Sequence, residues 1–346
     1  MSIMDRDTLL SSLESAPRPE EDALLMAGRF VPLRSLERAA LLLQAPTVKK
    51  LLALDHYGVE RCIGRPLRRT PWNPEELREA TGIDRRWLAG GTRHVWWIGD
   101  HTYPGHLRRI WDPPAVLYGW GESSTLACPG IAVVGTREPD EQGRAAAYRL
   151  GLDLGQRGVV VVSGLARGID SAAHRGAVIS GTPAIAVLGS GIDSIYPREN
   201  RALAADLLGA GGLIVSEYPP GTPAHRTRFP ARNRIVVGLS AGIVVVQAPE
   251  RSGALISADF GLQNGVEVMV HSSGKGWSGC SRLRSEGAAT VTTANDVITR
   301  VSPEALPGSI PAGGGADAEG DSAARAQLAA EERKLALLDS PSEVKP

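Results

Sequence analysis

From Ile131 onward, short apolar runs alternate with stretches of helical spacing, and few architectures accommodate that rhythm. The run Val159 to Val162 is four consecutive β-branched residues, too short for a helix and well suited to a pleated, buried strand. Ile131 to Val134, Ala184 to Leu188, Leu213 to Val215, Ile243 to Val246 and Val266 to Val270 read the same way. Apolar strands separated by helices imply a mostly parallel sheet covered on both faces. Right-handed crossovers then make it a doubly wound α/β sheet.

That topology decides where function is sought, because ligands of open α/β sheets bind beyond the carboxyl ends of the strands. The segments expected at that edge are Gly135-Thr136-Arg137, Ser163 to Gly168, Gly189-Ser190-Gly191, Ser216-Glu217-Tyr218 and Gln247 to Gly253. Of these, Ser163 to Asp170 (SGLARGID) is the most telling. Gly164 and Gly168 permit close backbone approach, and Arg167 offers a planar, always-charged fork to a phosphate. Asp170 is expected to be the N-cap of the helix that follows.

A second element, Phe229-Pro230-Ala231-Arg232-Asn233-Arg234, leads into the apolar Ile235 to Leu239. Proline suits a first helical turn, but Arg232 and Arg234 place positive charge where the helix dipole is already positive. A docked anion relieves the mismatch, and Arg226 and Arg228 enlarge the patch. The alternative is that these arginines pair with Glu217 or Asp170 and only stiffen the fold.

Catalytic constellations are missing. His174 and His271 have no nucleophile and orienting acid at a recognisable spacing and read as structural histidines. Leu188-Gly189-Ser190-Gly191 opens a dinucleotide fingerprint, but Ser194 occupies the place of its third glycine. There is no Walker sequence.

The 346 residues carry 38 basic and 38 acidic side chains, so a polyanion site has to be a local patch rather than a global field. Cys62, Cys128 and Cys280 are far apart, without the spacing of a zinc or redox pair, and suit a reducing cytoplasm. No apolar run reaches the roughly 18 to 20 residues of a membrane helix. Residues 1–95 read as a small helical domain, with Ser35 to Gln44 amphipathic and Pro74 starting a helix through Ala80. Its second half holds Arg61, Arg65, Arg68, Arg69, Arg85, Arg86 and Arg93, either a solvated surface or an accessory polyanion-binding face. Residues 96–302 form the sheet domain. Residues 303–346 read as a low-complexity, mostly disordered tail in which Ala323 to Leu338 could form one helix.

Val133 to Arg137 and SGLARGID with His174, Gly176 and Ala177 resemble the DNA-processing protein A family, also called DprA or Smf. So do Val187 to Gly191 with Asp193, Tyr196 and Pro197, Ser216 to Pro219, Phe229 to Arg234, and Ser252-Gly253-Ala254 with Ser257-Ala258. These motifs keep family order from Tyr103 to about Arg300. The resemblance implies an extended Rossmann-like domain, a homodimer, no cofactor, and a cytoplasmic protein that binds incoming single-stranded DNA in natural transformation and helps load the RecA recombinase. It points to Arg137, Arg167, Arg232 and Arg234 for the DNA backbone, with Ser163, Gly164, Gly168, Arg228 and Asn233 beside them.

Two departures mark this chain. Gln247 stands where the family usually has glutamate, and His271 to Gly274 replaces a proline-glycine turn. The low-complexity tail is expected in place of the winged-helix domain of many members.

Arginines and backbone donors, with little to read base edges, suit sequence-independent strand binding. Phe229 and Tyr196 either offer stacking platforms or pack in the core. The competing enzyme reading is a nucleotide hydrolase related to phosphoribohydrolases. It lacks its proline-glycine-glycine-x-glycine-threonine motif, since Pro249 to Gly253 stands in that loop. A third reading is a nucleotide sensor.

Overall fold

A computed structural model describes residues 6–67, 70–127 and 129–301. Arg68, Arg69, Cys128 and the 303–346 tail with its expected helix lie outside the described residues.

Nine strands make one sheet: β1 (Arg93–Trp97), β2 (Val116–Gly121), β3 (Gly130–Val134), β4 (Val161–Ser163), β5 (Ala184–Leu188), β6 (Leu213–Ser216), β7 (Ser240–Val245), β8 (Glu267–His271) and β9 (Ala289–Val291). Their order is β1-β2-β6-β5-β4-β3-β7-β8-β9. From β6 to β9 every pairing is parallel, and β1 and β2 add an antiparallel edge. Strands β3, β4 and β5 are buried throughout, as expected of a sheet covered on both faces.

All six runs taken as strands lie on strands, with ends shifted by up to three residues at β7. Those strand expectations did not include β1, β2 and β9. Gly119 and Gly121 make β2 look like a turn, yet Gly119 pairs with His94 while the Trp96 ring covers it. A Cβ on Gly119 would lie 2.3 Å from that ring, so the indole fills the space a side chain would take.

Helices α1 (Arg6–Ser15), α2 (Glu21–Arg29), α3 (Ser35–Gln44), α4 (Val48–Leu52), α5 (His56–Ile63) and α6 (Pro74–Leu88) precede the sheet. The helix from Pro74 runs eight residues past Ala80, capped by the Asn73 side chain. Phe30 meets Trp72 edge-on at 5.0 Å, and Trp87 meets Tyr118 of β2, so one apolar core runs from these helices to the sheet.

The remaining helices are α7 (Gly105–Arg109), α8 (Glu141–Gln156), α9 (Ile169–Ile179), α10 (Arg201–Gly209), α11 (Arg228–Gly238), α12 (Gly253–Gln263), α13 (Ser278–Ser285) and α14 (Ala294–Arg300). Helices α8 and α9 pack tightly because Gly151 and Gly176 leave no room for a Cβ against the facing backbone. No helix among the described residues is long and apolar enough to cross a membrane.

Candidate functional site

The turns after β3 and β4 touch. Gly168 has φ +76, and a Cβ there would sit 2.5 Å from Thr136 O and 2.7 Å from the Arg137 carbonyl. Only glycine allows that approach, and it sets Arg137 and Arg167 on adjoining turns, both exposed. The switch point between β3 and β7 is closed, with Thr136 N donating to Gln247 O at 2.7 Å. The rim of interest therefore lies over β3, β4 and β5.

Behind that rim the Ser163–Gly168 loop is held from inside. Ser163 Oγ donates to Val133 O at 2.7 Å, and the Asp170 carboxylate accepts from Gly164 N (3.1 Å) and Ala166 N (3.4 Å). Leu165 sits in the left-handed region at φ +53, a conformation that costs roughly 1–2 kcal/mol. Its burial and a hydrogen bond from Asn200 Nδ2 to its carbonyl (2.9 Å) hold it there. Ser163 and Gly164 are buried, and the amide of Gly164 donates to Asp170. One expectation is corrected. Asp170 is not the N-cap; that position is Gly168, and the carboxylate turns back on the loop from the second helical residue.

Helix α11 starts with Phe229, Pro230, Arg232 and Arg234 in its first two turns. Arg232 is buried, and its Nη1 donates to Gly164 O at 2.7 Å and to Val187 O. A Cβ on Gly164 would lie 2.2 Å from that guanidinium, which explains the glycine. Burial lowers the Arg232 pKa to about 10, against the pull of Asp170 and with the push of Arg137. It therefore stays charged at neutral pH, directly behind the rim. Burial in turn raises Asp170, while Arg232 and the loop amides oppose the rise.

Arg234 is buried and its guanidinium is held by neighbouring carboxylates. Its guanidinium reaches Glu217 (2.8 Å), Asp112 (3.0 Å) and the carbonyls of Asp112 and Ala231. Burial works against its charge, but Glu217 and Asp112 outweigh burial and raise its pKa. For Arg234 the stiffening alternative describes what is present. Asn233 donates to Gly253 O at 3.0 Å and so joins α11 to α12. Arg228 is half-buried, bonded to Pro223 O, with its guanidinium 5.0 Å from the Tyr218 ring centroid.

The solvent-facing surface is then short and mixed. Tyr196, 46% exposed, lies against Phe229 with ring centroids 5.3 Å apart and planes tilted 36°. The Arg137 guanidinium sits 5.5 Å over Phe229, and Phe229 rests on Gly189, where a Cβ would be 2.7 Å from its ring. Arg167 pairs with Glu199, and that hydrogen bond raises its pKa. Both partners are largely exposed, so the pair is a weak tether. Glu199 and Asn200 went unnoticed in the sequence, since nothing in Pro197 to Asn200 signals a partner for a loop 30 residues earlier.

The two departures meet. Gln247 Nε2 donates to Asp140 Oδ1 (2.8 Å) and Ser273 O (3.1 Å), while its Oε1 accepts from Asp140 N (3.2 Å). That amide is the main reason the Asp140 carboxyl is held below its usual range. His174 is fully buried with Nε2 3.2 Å from Ile185 O, and burial lowers its pKa to about 4. No group of three or more His, Cys, Asp or Glu among the described residues is arranged to hold a metal ion.

The family model for DNA recombination-mediator protein A matches residues 94–302. The DNA processing protein DprA of Streptococcus pneumoniae is 41% identical over 204 residues, 58% of this chain and 72% of the relative. Protein Smf of Escherichia coli is 39% identical over 215 residues, 61% of this chain and 58% of that protein. The X-ray structure of the pneumococcal protein aligns with TM-score 0.64 and 32% identity, covering 82% of this chain and 99% of its own. A Helicobacter pylori DNA processing protein A, solved for its single-stranded DNA binding mode, aligns with TM-score 0.55 and 28% identity over 61% of this chain and 96% of its own.

Proposed function

The chain belongs to the DNA recombination-mediator protein A family, and from that premise we propose that it binds single-stranded DNA by the phosphate backbone, without sequence preference. On this reading it works as a cytoplasmic homodimer without cofactor or catalytic step, and it helps load RecA recombinase during natural transformation. Residues 96–302 do the binding, and the helices before them accompany it.

One observation carries the reading: Arg137 and Arg167 stand on adjoining turns beside the Phe229–Tyr196 pair, with the buried charge of Arg232 behind them. Guanidiniums suit phosphates and the ring faces suit unstacked bases, which is the chemistry of strand binding without sequence readout. Arg228 extends the positive edge. Ser163, Gly164, Gly168, Arg232, Asn233 and Arg234 act as the frame that holds these groups rather than as contacts.

The test is fluorescence anisotropy of a labelled single strand, against duplex and against mononucleotides. For about 3 to 5 neutralised phosphates, the log–log salt slope should be roughly −2 to −3.5. Mononucleotide turnover with no strand binding would move the chain to the nucleotide-hydrolase class.

A further inference from the structure

A cleft of about 1430 Å³ lies between the helices before the sheet and the loop that follows β6. Eight arginines line it against three carboxylates, Glu37, Asp112 and Glu217. Most of the guanidiniums are answered: Arg65 by Glu37, Arg234 by Asp112 and Glu217, Arg29 by Asp84 and Arg6 by Asp7. Arg38 lies in the field of Asp112 and Glu217. Arg34, Arg61 and Arg228 make no ion pair with a carboxylate among the described residues, though Arg34 lies in the field of the Glu37 already paired to Arg65, and Arg34 and Arg61 are exposed. An unanswered positive cluster over apolar walls, with Val31 73% exposed, favours a ligand that is anionic and flat-faced at once.

The cleft adjoins the rim site through one helix start. Arg228, Ala231 and Arg234 of α11 line the cleft, while Phe229 and Arg232 of the same two turns belong to the rim. Tyr218 lies in the cleft beneath the Arg228 guanidinium. We propose that the cleft holds a second stretch of the same single strand that crosses the rim, with Arg34 and Arg61 meeting phosphates and Tyr218 and Val31 meeting bases. Continuity with the rim is what favours a polynucleotide over an acidic peptide of similar charge. The inference rests on the single-strand reading of the rim and extends it to the length of strand engaged.

Anisotropy of labelled oligothymidylates of about 4 and about 16 nucleotides tests it, using the full chain. The readout is the ratio of long- to short-strand affinity. In Arg34→Glu/Arg61→Glu that ratio should fall about tenfold, and the long-strand salt slope should shrink by about 1.4 as two phosphate contacts go. Arg34→Gln/Arg61→Gln should show the same change in slope with a smaller loss of affinity, which separates lost contacts from added repulsion. Both positions are exposed, so melting temperatures should match wild type. If wild type binds both lengths and neither double variant changes the ratio or slope, the cleft does not hold the strand. If wild type binds neither length, the reading of the rim fails first and this inference falls with it.

Discussion

The rim turns after β3 and β4 and the first two turns of α11 are both rich in arginine, yet Arg137 and Arg167 of the rim are exposed while Arg232 and Arg234 of α11 are buried. Arg137 and Arg167 have exposed guanidiniums, one over an aromatic ring and one on an exposed carboxylate. Arg232 and Arg234 aim theirs inward, onto Gly164 O and Val187 O in one case and onto Glu217 and Asp112 in the other. A guanidinium in the interior must be matched donor by donor, whereas one at the surface stays free to exchange partners. Depth thus divides one residue type into cross-struts and contacts, and substitution should act on stability in one region and on binding in the other.

The largest effect is expected at Arg234. Arg234→Met strands the buried Glu217 carboxylate and should lower unfolding free energy by about 3–5 kcal/mol in urea titration. Adding Glu217→Met should restore much of it. A stable Arg234→Met protein that has lost strand binding would invert the division between interior and rim.

Acid should strain the interior next. Because burial holds His174 near 4 when folded against about 6.5 unfolded, the unfolded chain binds more protons between those values. Its contribution is intact above about pH 6.5 and is lost as pH falls toward 4, by roughly 3 kcal/mol. Asp84, raised to about 6 chiefly by burial, acts in the opposite sense over the same range, so wild type alone is a poor gauge. The measurement is the slope of stability against pH in wild type minus that in His174→Gln; equal slopes would remove the histidine from the account.

At the rim, Arg137→Glu should weaken strand binding by about 10- to 100-fold and Arg167→Glu by about tenfold, with stability within about 0.5 kcal/mol of wild type for Arg137→Glu. A matching loss of melting temperature would mean that the rim, too, is structural. The smallest effect sharpens the contrast: Glu199→Gln frees Arg167 and should tighten binding two- to threefold at low salt, an advantage that fades as salt screens the pair. Unchanged affinity would show that Glu199 does not compete with the strand.

Much of this frame was legible in residues alone. Alternating apolar runs located the parallel strands, and the polar turns were read at their carboxyl ends, but the order of the strands in the sheet came only from the structure. The depth of a side chain was not legible, because FPARNR has the same letters whether its guanidiniums point to water or to a carboxylate 17 or 122 residues away. Asp170 misled for a similar reason. A helix-start aspartate commonly caps its own helix, but here Gly168 takes the cap, and the carboxylate holds the amides of Gly164 and Ala166, the first of them from a glycine expected at the phosphate site. β2 was obscured because Gly119 has its missing side chain supplied by Trp96 from the next strand, a contact no local pattern contains.

The Gln247 amide has a consequence for exchanging parts with relatives. It bridges Asp140, which caps α8, and the carbonyl of Ser273 in the turn after β8. A glutamate at 247 would set two carboxylates against each other and leave the Ser273 oxygen without its donor. Position 247 and residues 271–274 therefore form one transplantable block: moved together they should graft cleanly, and moved singly they should leave a corner that titrates.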